Sequence, residues 1–319
     1  MRTVSREGSV AAALAVVLLG LAGFAPSFYQ PMPLLSLAAR EAPALVVTCG
    51  MALIIVSRQI DISVGSQFAV CSVCTGLLLA AHYPPALVLV ACLLVGALLG
   101  GLNGALVAGL QLPSIVVTLA TMVSLREALR WQRQGQFVNL PPTVQWFGLS
   151  QTHGQILIVS VAVLILTVLA WAAKYLAAGR YVYAIGSNLE AARLAGVPPR
   201  ALTFAVFVLL GALNGIAALL NSVQSLQVDP KSGTGLELKA IAAAVVGGIA
   251  INGGRGNLWG AALGLGLLAC ISPALVFVHL EPYWERAIQG LIILLAVMAD
   301  GLPVRRRRLG DRPRAQVQS

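Results

Sequence analysis

Residues 86–108 read ALVLVACLLVGALLGGLNGALVA, an unbroken apolar run with no charge and no proline. About 20 such residues are what an α-helix needs to cross a hydrocarbon core about 30 Å thick. Gly96, Gly100 and Gly104 recur every fourth residue inside it, the spacing that lets helix backbones approach closely in lipid. This stretch therefore predicts a transmembrane helix packed tightly against a neighbour.

The rest of the chain repeats the theme. Of 319 residues, 58% are hydrophobic and only 10% charged, with a mean hydropathy of +0.88; a soluble domain carries about 25% charged residues. Apolar runs broken by polar residues place spans near 10–26, 44–56, 62–81, 86–108, 114–129, 154–173, 201–220, 239–252, 258–277 and 286–300. The fold class is an all-α, polytopic transmembrane helix bundle of about ten spans. It forms one membrane domain (1–303) followed by a basic tail (304–319). The runs at 44–56, 114–129 and 239–252 are short, which marks them as tilted, broken or re-entrant.

Charge gives orientation. One side of this scheme carries 14 of the 21 Lys and Arg residues, among them Arg58, Lys174, Arg180, Arg193, Arg200, Arg255 and the tail arginines. The other carries seven, including Arg40, Arg126, Lys239 and Arg286. The excess marks the cytoplasmic side and puts both termini there. The tail RRRRLGDRPRAQVQS then reads as an anchor at anionic membrane lipid, not a nucleic-acid patch. The basic, apolar N-terminus resembles a secretory signal, but Pro26 follows its only small-residue cleavage site and further spans come after, so it reads as an uncleaved first span.

Chemistry is sparse. The five cysteines lie in apolar runs and read as packing, Cys71-x-x-Cys74 included, since no second pair or nearby His completes a metal set. No lysine follows a glycine as a phosphate-binding loop requires. Glu127 is the main acidic residue inside a span. No catalytic pair of aspartates and no Ser–His pair sits at membrane depth, so no enzyme, metal or cofactor is expected.

Three polar regions stand out. The longest loop on the cytoplasmic side, 174–200, contains GRYVYAIGSNLEAARLAGVPPRA (179–201). Its first half alternates as an extended turn does. NLEAARLAG reads as a short helix started by Asn188, with Glu190 in its first turn and Gly196 as its stop, presenting Ala191, Ala192, Leu194 and Ala195 as an apolar knob. Before the span at 62–81, Asp61 reads as a helix cap or a partner of Arg58 in preference to a substrate ligand. At membrane depth, Ser66, Asn103, Thr118, Thr121, Ser124 and Asn214 either hydrogen-bond neighbouring helices or line a translocation pathway. Thr118 and Thr121 come first for the pathway, because they follow Pro113 in a short span. A neutral lining of this kind suits an uncharged, hydroxyl-rich solute. The glycine-rich stretch 247–260 reads as a tight turn between spans.

The 179–201 segment resembles the ATPase-docking loop of ABC importer permeases of the ribose-type sugar family, which includes rhamnose and autoinducer-2 importers. RQIDISVGS (58–66), LPSIVVTLATMVSLREAL (112–129) and GTGLELKAIAAAVVGGIAINGGRGNLWGAALG (233–264) are similar to that family in the same order. The resemblance implies a bacterial inner-membrane permease with three partners: an ABC ATPase, a periplasmic or lipoprotein substrate-binding protein, and a second permease, either identical or related. It implies that Gly179, Arg180, Gly186, Asn188, Glu190, Ala191, Ala192, Arg193 and Gly196 form the ATPase-docking surface, with Arg255 a second contact. The rival reading is a stand-alone carrier or facilitative channel in which the loop only sets topology.

Overall fold

A computed structural model describes residues 30–277, 281 and 284–301, with Ala12, Ala15, Val16 and Leu19 as isolated helical positions. The remainder of the expected first span (10–26) and the basic tail (304–319) lie outside the described residues. In chain order the helices are α1 (Pro31–Val56), α2 (Val64–Ala80), α3 (Pro85–Gly104), α4 (Ser114–Arg133), α5 (Gln151–Tyr175), α6 (Ala177–Ser187), α7 (Leu189–Leu194), α8 (Pro199–Ser222), α9 (Leu236–Val246), α10 (Leu258–Ala269), α11 (Ile271–Phe277) and α12 (Trp284–Gly301). A π-helical turn extends α3 to Gly109. An antiparallel ladder of two residues per strand, β1 (Val138–Asn139) with β2 (Gln227–Val228), ties together the loops after α4 and α8. Among the described residues, five segments are long and apolar enough to cross a membrane: Pro31–Val56, Pro85–Gly109, Gln151–Tyr175, Pro199–Ser222 and Leu258–Val276. Val64–Ala80 is a shorter apolar helix.

The bundle is built around α1, whose second half is buried on every side from Val46 to Val56. A helix apolar all round belongs in an interior. The expected short span at 44–56 is corrected: the helix starts at Pro31 and runs 26 residues, about 39 Å at 1.5 Å per residue. Arg40 and Glu41 interrupt the apolar run without interrupting the helix, because the Glu41 carboxylate is paired with Lys239 of α9 at 2.6 Å. Pro43 sits inside α1 and cannot donate to the carbonyl four residues back. That carbonyl, Ala39 O, instead accepts from Gln224 Nε2 at 3.0 Å. A side chain just beyond α8 thus satisfies a backbone group that lipid would leave unpaired.

The α3–α8 crossing is made of backbone. A Cβ on Gly96 would overlap Gly211 O, and one on Gly100 would overlap Phe207 O. On the α8 side, a Cβ on Gly211 would overlap Gly96 O and one on Gly215 would overlap Cys92 O. The expected tight crossing at Gly96, Gly100 and Gly104 is therefore met by α8. A second one joins α9 to α10, where Gly247 lies against Gly260 O and Gly264 against Ala243 O. With 11 residues, α9 rises only about 16 Å, half the hydrocarbon core, so the short run at 239–252 is a half-length helix followed by turns. The run at 114–129 is longer than it looked, continuing as α4 to Arg133. Glu127 pairs with Arg130 at 2.8 Å, one turn along α4, with more than half its side chain exposed.

Outward faces are apolar stripes at helical spacing, such as Leu87, Leu94, Leu98 and Leu102 on α3 and Ile156, Val163 and Leu164 on α5. Exposed aliphatic area of this extent marks surface that meets lipid or another subunit. Arg40, Lys239 and Arg286 line one cavity of about 610 Å³, while Arg58, Arg193 and Arg200 line another of about 350 Å³.

The α3–α8 crossing predicts that Gly211→Val, which adds bulk against Gly96 O, abolishes monodisperse protein in detergent, since overpacking costs about 1–3 kcal/mol or more. Gly101→Ala on the same helix, whose Cβ would meet nothing closer than 3.5 Å, leaves the elution profile and melting temperature unchanged.

Candidate docking surface and buried polar joint

The segment expected to be extended, 179–187, is helical and forms most of α6. YVYAIG alternates over a few residues only, whereas Val182, Ile185 and Gly186 fall on one face at helical spacing and are buried together. Asn188 then breaks the helix in extended conformation, and its Oδ1 accepts from Ala191 N at 3.0 Å to start α7. Glu190 lies in the first turn and Arg193 in the last, each complementing the helix dipole. Gly196 ends α7 at φ +79, its N–H donating to Arg193 O at 2.9 Å. The start, the acidic first turn and the stop are as the sequence expects. The apolar knob needs one correction: Ala192 turns inward onto Ile185 and Val197. Glu190, Ala191, Arg193 and Ala195 are exposed, and Leu194 is 83% exposed.

The underside of this hairpin is clamped by backbone. Gly179 packs on the end of α5, where a Cβ would lie 2.5 Å from Ala173 Cα, and Arg180 Nη1 donates to Tyr175 O at 3.0 Å. A Cβ on Gly186 would overlap Val56 O, the last carbonyl of α1. That same oxygen accepts from Gly254 N at 2.8 Å, so α6, the end of α1 and the turn at 250–256 converge on one atom. The turn needs left-handed backbone at Gly253, Gly254 and Gly256, a conformation glycine adopts without cost. Tyr183 Oη donates to Gly256 O at 3.0 Å. Arg255 is exposed beside it.

Arg58 closes the clamp. Its Nε donates to Asn252 O at 2.8 Å and its Nη2 to Ser187 O at 2.9 Å. The pairing of Arg58 with Asp61 expected from sequence is therefore corrected, because the guanidinium spans two backbone carbonyls instead. Sequence reasoning missed this role, since both acceptors are main-chain atoms 129 and 194 residues away and no residue type marks them.

Three residues later, Asp61 is wholly buried. Its Oδ1 accepts from Ser63 N at 2.8 Å and Ser63 Oγ at 2.5 Å, and its Oδ2 from Gln67 Nε2 at 3.2 Å and Asn103 Nδ2 at 3.3 Å. The expected helix cap is therefore corrected: the N-cap of α2 is Ser63, which has no side-chain cap bond, and Asp61 instead joins the connection to α2 and α3 through Gln67 and Asn103. Asp61 lies in the connection between α1 and α2; burial raises its carboxyl above the ordinary value, and the hydrogen bonds from Ser63, Asn103 and Gln67 offset that rise only in part. Ser63 and Gln67 are members that the sequence did not single out; their i, i+4 spacing on α2 was the available signal.

The six candidate pathway residues divide. Thr121 Oγ1 donates to Asn103 Oδ1 at 2.7 Å. Thr118 Oγ1 accepts from Ile62 N at 3.1 Å, Ser66 Oγ donates to Met122 O at 2.9 Å, and Asn214 Nδ2 donates to Val64 O at 2.8 Å. These five are buried and hold α4 and α8 against α2, α3 and the 57–63 connection. Ser124 alone of the six is exposed, on the outer face of α4.

Comparison with known proteins fits this arrangement. The family described as branched-chain amino acid transport system / permease component matches residues 34–297. The autoinducer 2 import system permease protein LsrC of Escherichia coli (strain K12 / DH10B) is 35% identical over 304 residues, covering 94% of this chain and 89% of its own. The proteins of that name from Enterobacter sp. (strain 638) and Salmonella paratyphi B are 34% and 33% identical, again over 94% of this chain and 89% and 88% of theirs. No solved structure matches. With the family covering most of the chain and these relatives nearly all of it, the protein belongs to the permease components of this transport family.

Proposed function

We propose that the chain is the permease of an ATP-driven bacterial importer for a small, uncharged, hydroxyl-rich solute of the sugar or autoinducer-2 type. In this reading it lies in the inner membrane with about ten spans and both termini cytoplasmic, and residues 304–319 form a basic anchor. A separate ABC ATPase docks on α6 and α7 and touches Arg255, a binding protein delivers solute from the opposite side, and a second permease completes the path. The observation that carries the reading is the hairpin of α6 and α7. Its outer face, with Glu190, Arg193 and Leu194, is exposed, while its inner face is fixed to the end of α1 and to the 250–256 turn by backbone contacts at Gly186 and by Arg58. A surface that merely set topology has no need of such a mount. A surface that transmits motion does, because coupling requires an element that both partners bias.

Alternating access follows from two arrangements of the bundle whose balance the ATPase shifts. In this reading Ser124 on the open face of α4 lines the path directly, facing the second permease. Ser66, Asn103, Thr118, Thr121 and Asn214 form the wall behind it. The names of the relatives support the solute class.

Reconstituted with its ATPase and binding protein, the chain is expected to take up solute only with ATP; uptake that persists without the ATPase points to a stand-alone carrier. Leu194→Asp or Glu190→Lys, both on the exposed face of α7, should lower uptake between about fivefold and 150-fold, the range of an ordinary coupling energy, while the chain still inserts and elutes normally. Unchanged uptake in both variants would remove the docking role. Asp61→Asn puts an amide nitrogen against the donors that now converge on two carboxylate oxygens. It should cost about 1–3 kcal/mol, read as a lower melting temperature of the purified chain.

A further inference from the structure

A cavity of about 540 Å³ opens between the C-terminal end of α5, the start of α6 and the N-terminal end of α10. Lys174 and Arg180 form one wall, Gly256, Asn257 and Trp259 the other, and no acidic residue lines it. Neither cation pairs with a carboxylate among the described residues: Lys174 Nζ lies 5.2 Å from the centre of the Tyr175 ring, and Arg180 is bonded to a backbone carbonyl. The opposite wall adds the positive end of the α10 dipole, with Asn257 as its cap. The cavity is thus an anion site by charge, with two cations and, among the described residues, no carboxylate in its lining.

Its depth says which anion. The cavity lies where the candidate span Gln151–Tyr175 ends and the candidate span Leu258–Val276 begins. Trp259 lines it about half exposed, and Trp171 and Tyr175, about half exposed as well, are chain neighbours of the lining residues Ala170 and Lys174; amphipathic rings of this kind sit at the headgroup level of a bilayer. A basic pocket between helices at this level fits an anionic lipid headgroup. We infer that this cavity binds the phosphate of an anionic phospholipid from the leaflet on the docking side. Because Lys174 and Arg180 stand at the root of α6, the lipid braces the hairpin against the end of α5. This goes beyond the proposed transport role and does not depend on it.

The test uses the full chain purified in detergent and exposed to phosphatidylglycerol or phosphatidylcholine, with retained lipid read by native mass spectrometry. The wild type should hold phosphatidylglycerol and not phosphatidylcholine, and Lys174→Gln with Arg180→Gln should lower retention about tenfold or more, the effect of losing about 1.4 kcal/mol. Ala170→Phe leaves both cations in place and fills the cavity, so it should lower retention as well, which separates a built site from diffuse surface charge even where the double variant folds poorly. Equal retention of the two lipids, or full retention in Ala170→Phe, would overturn the inference. Displacement of phosphatidylglycerol by inorganic phosphate would overturn it too, by assigning the site to a soluble anion. The readout is lipid bound to the purified chain, so a failure of ATP coupling does not move it.

Discussion

Seven residues between α1 and α2, Ser57 to Ser63, carry the contacts on which the remaining architecture depends. Arg58 takes left-handed backbone, φ +64, and from there bonds the carbonyls that end α6 and begin the 250–256 turn. Ile60 N and Ile62 N donate to Ser114 Oγ and Thr118 Oγ1 of α4, and Asp61 gathers donors from α2 and α3. Left-handed backbone is costly for a residue with a side chain. It is held by the two bonds that the guanidinium makes to Asn252 O and Ser187 O. The α6–α7 hairpin is therefore tied through Arg58 to a short segment that is itself bonded to α2, α3 and α4.

Asp61 explains why that segment stays in place. A carboxylate without a cation is expensive to bury, and among the described residues this one has only neutral donors, four of them on two oxygens. Such a network is stable as a whole and weak in part, because the loss of any donor leaves a buried polar atom unsatisfied in a low-dielectric interior. Ser63 is its pivot, since its hydroxyl donates to Asp61 while accepting from both Gln67 and Asn103. Thr121 extends the chain of bonds to α4 through Asn103. Five of the six polar residues that the sequence offers as a pathway lining, all but Ser124, are thus bonded to neighbouring helices or to the 57–63 connection.

How much of this was legible follows from the kind of contact involved. Apolar length and glycine spacing are local signals, and they located α3, α5, α8 and the tight crossings. The start of α7 was equally local: Asn188, Glu190 and Gly196 act within one or two turns of their own positions. What failed was local pattern overridden by tertiary context. The alternation in YVYAIG belongs to a helix because Val182, Ile185 and Gly186 find a surface to bury against. The Arg40–Glu41 break in hydropathy vanishes because Lys239 stands opposite Glu41. Arg58 was out of reach for a further reason: its partners are carbonyls, which every residue has.

The same distinction bears on how the bundle moves. Where helices meet through glycine, as α3 with α8 and α9 with α10, no side chains interlock to absorb a small shift, and a change of crossing must carry both backbones together. The α6 contact on Val56 O is of the same type. Rigid contacts of this kind pass displacement on instead of dissipating it, since packed interfaces deform little before they switch. The half-length α9 breaks the pattern. It ends in Gly247 and Gly248, and the turn that follows reaches back to Arg58 and Tyr183. The turn that holds α6 through Arg58 and Tyr183 is therefore also the end of a helix of only 11 residues, whose other end carries Glu237 and Lys239.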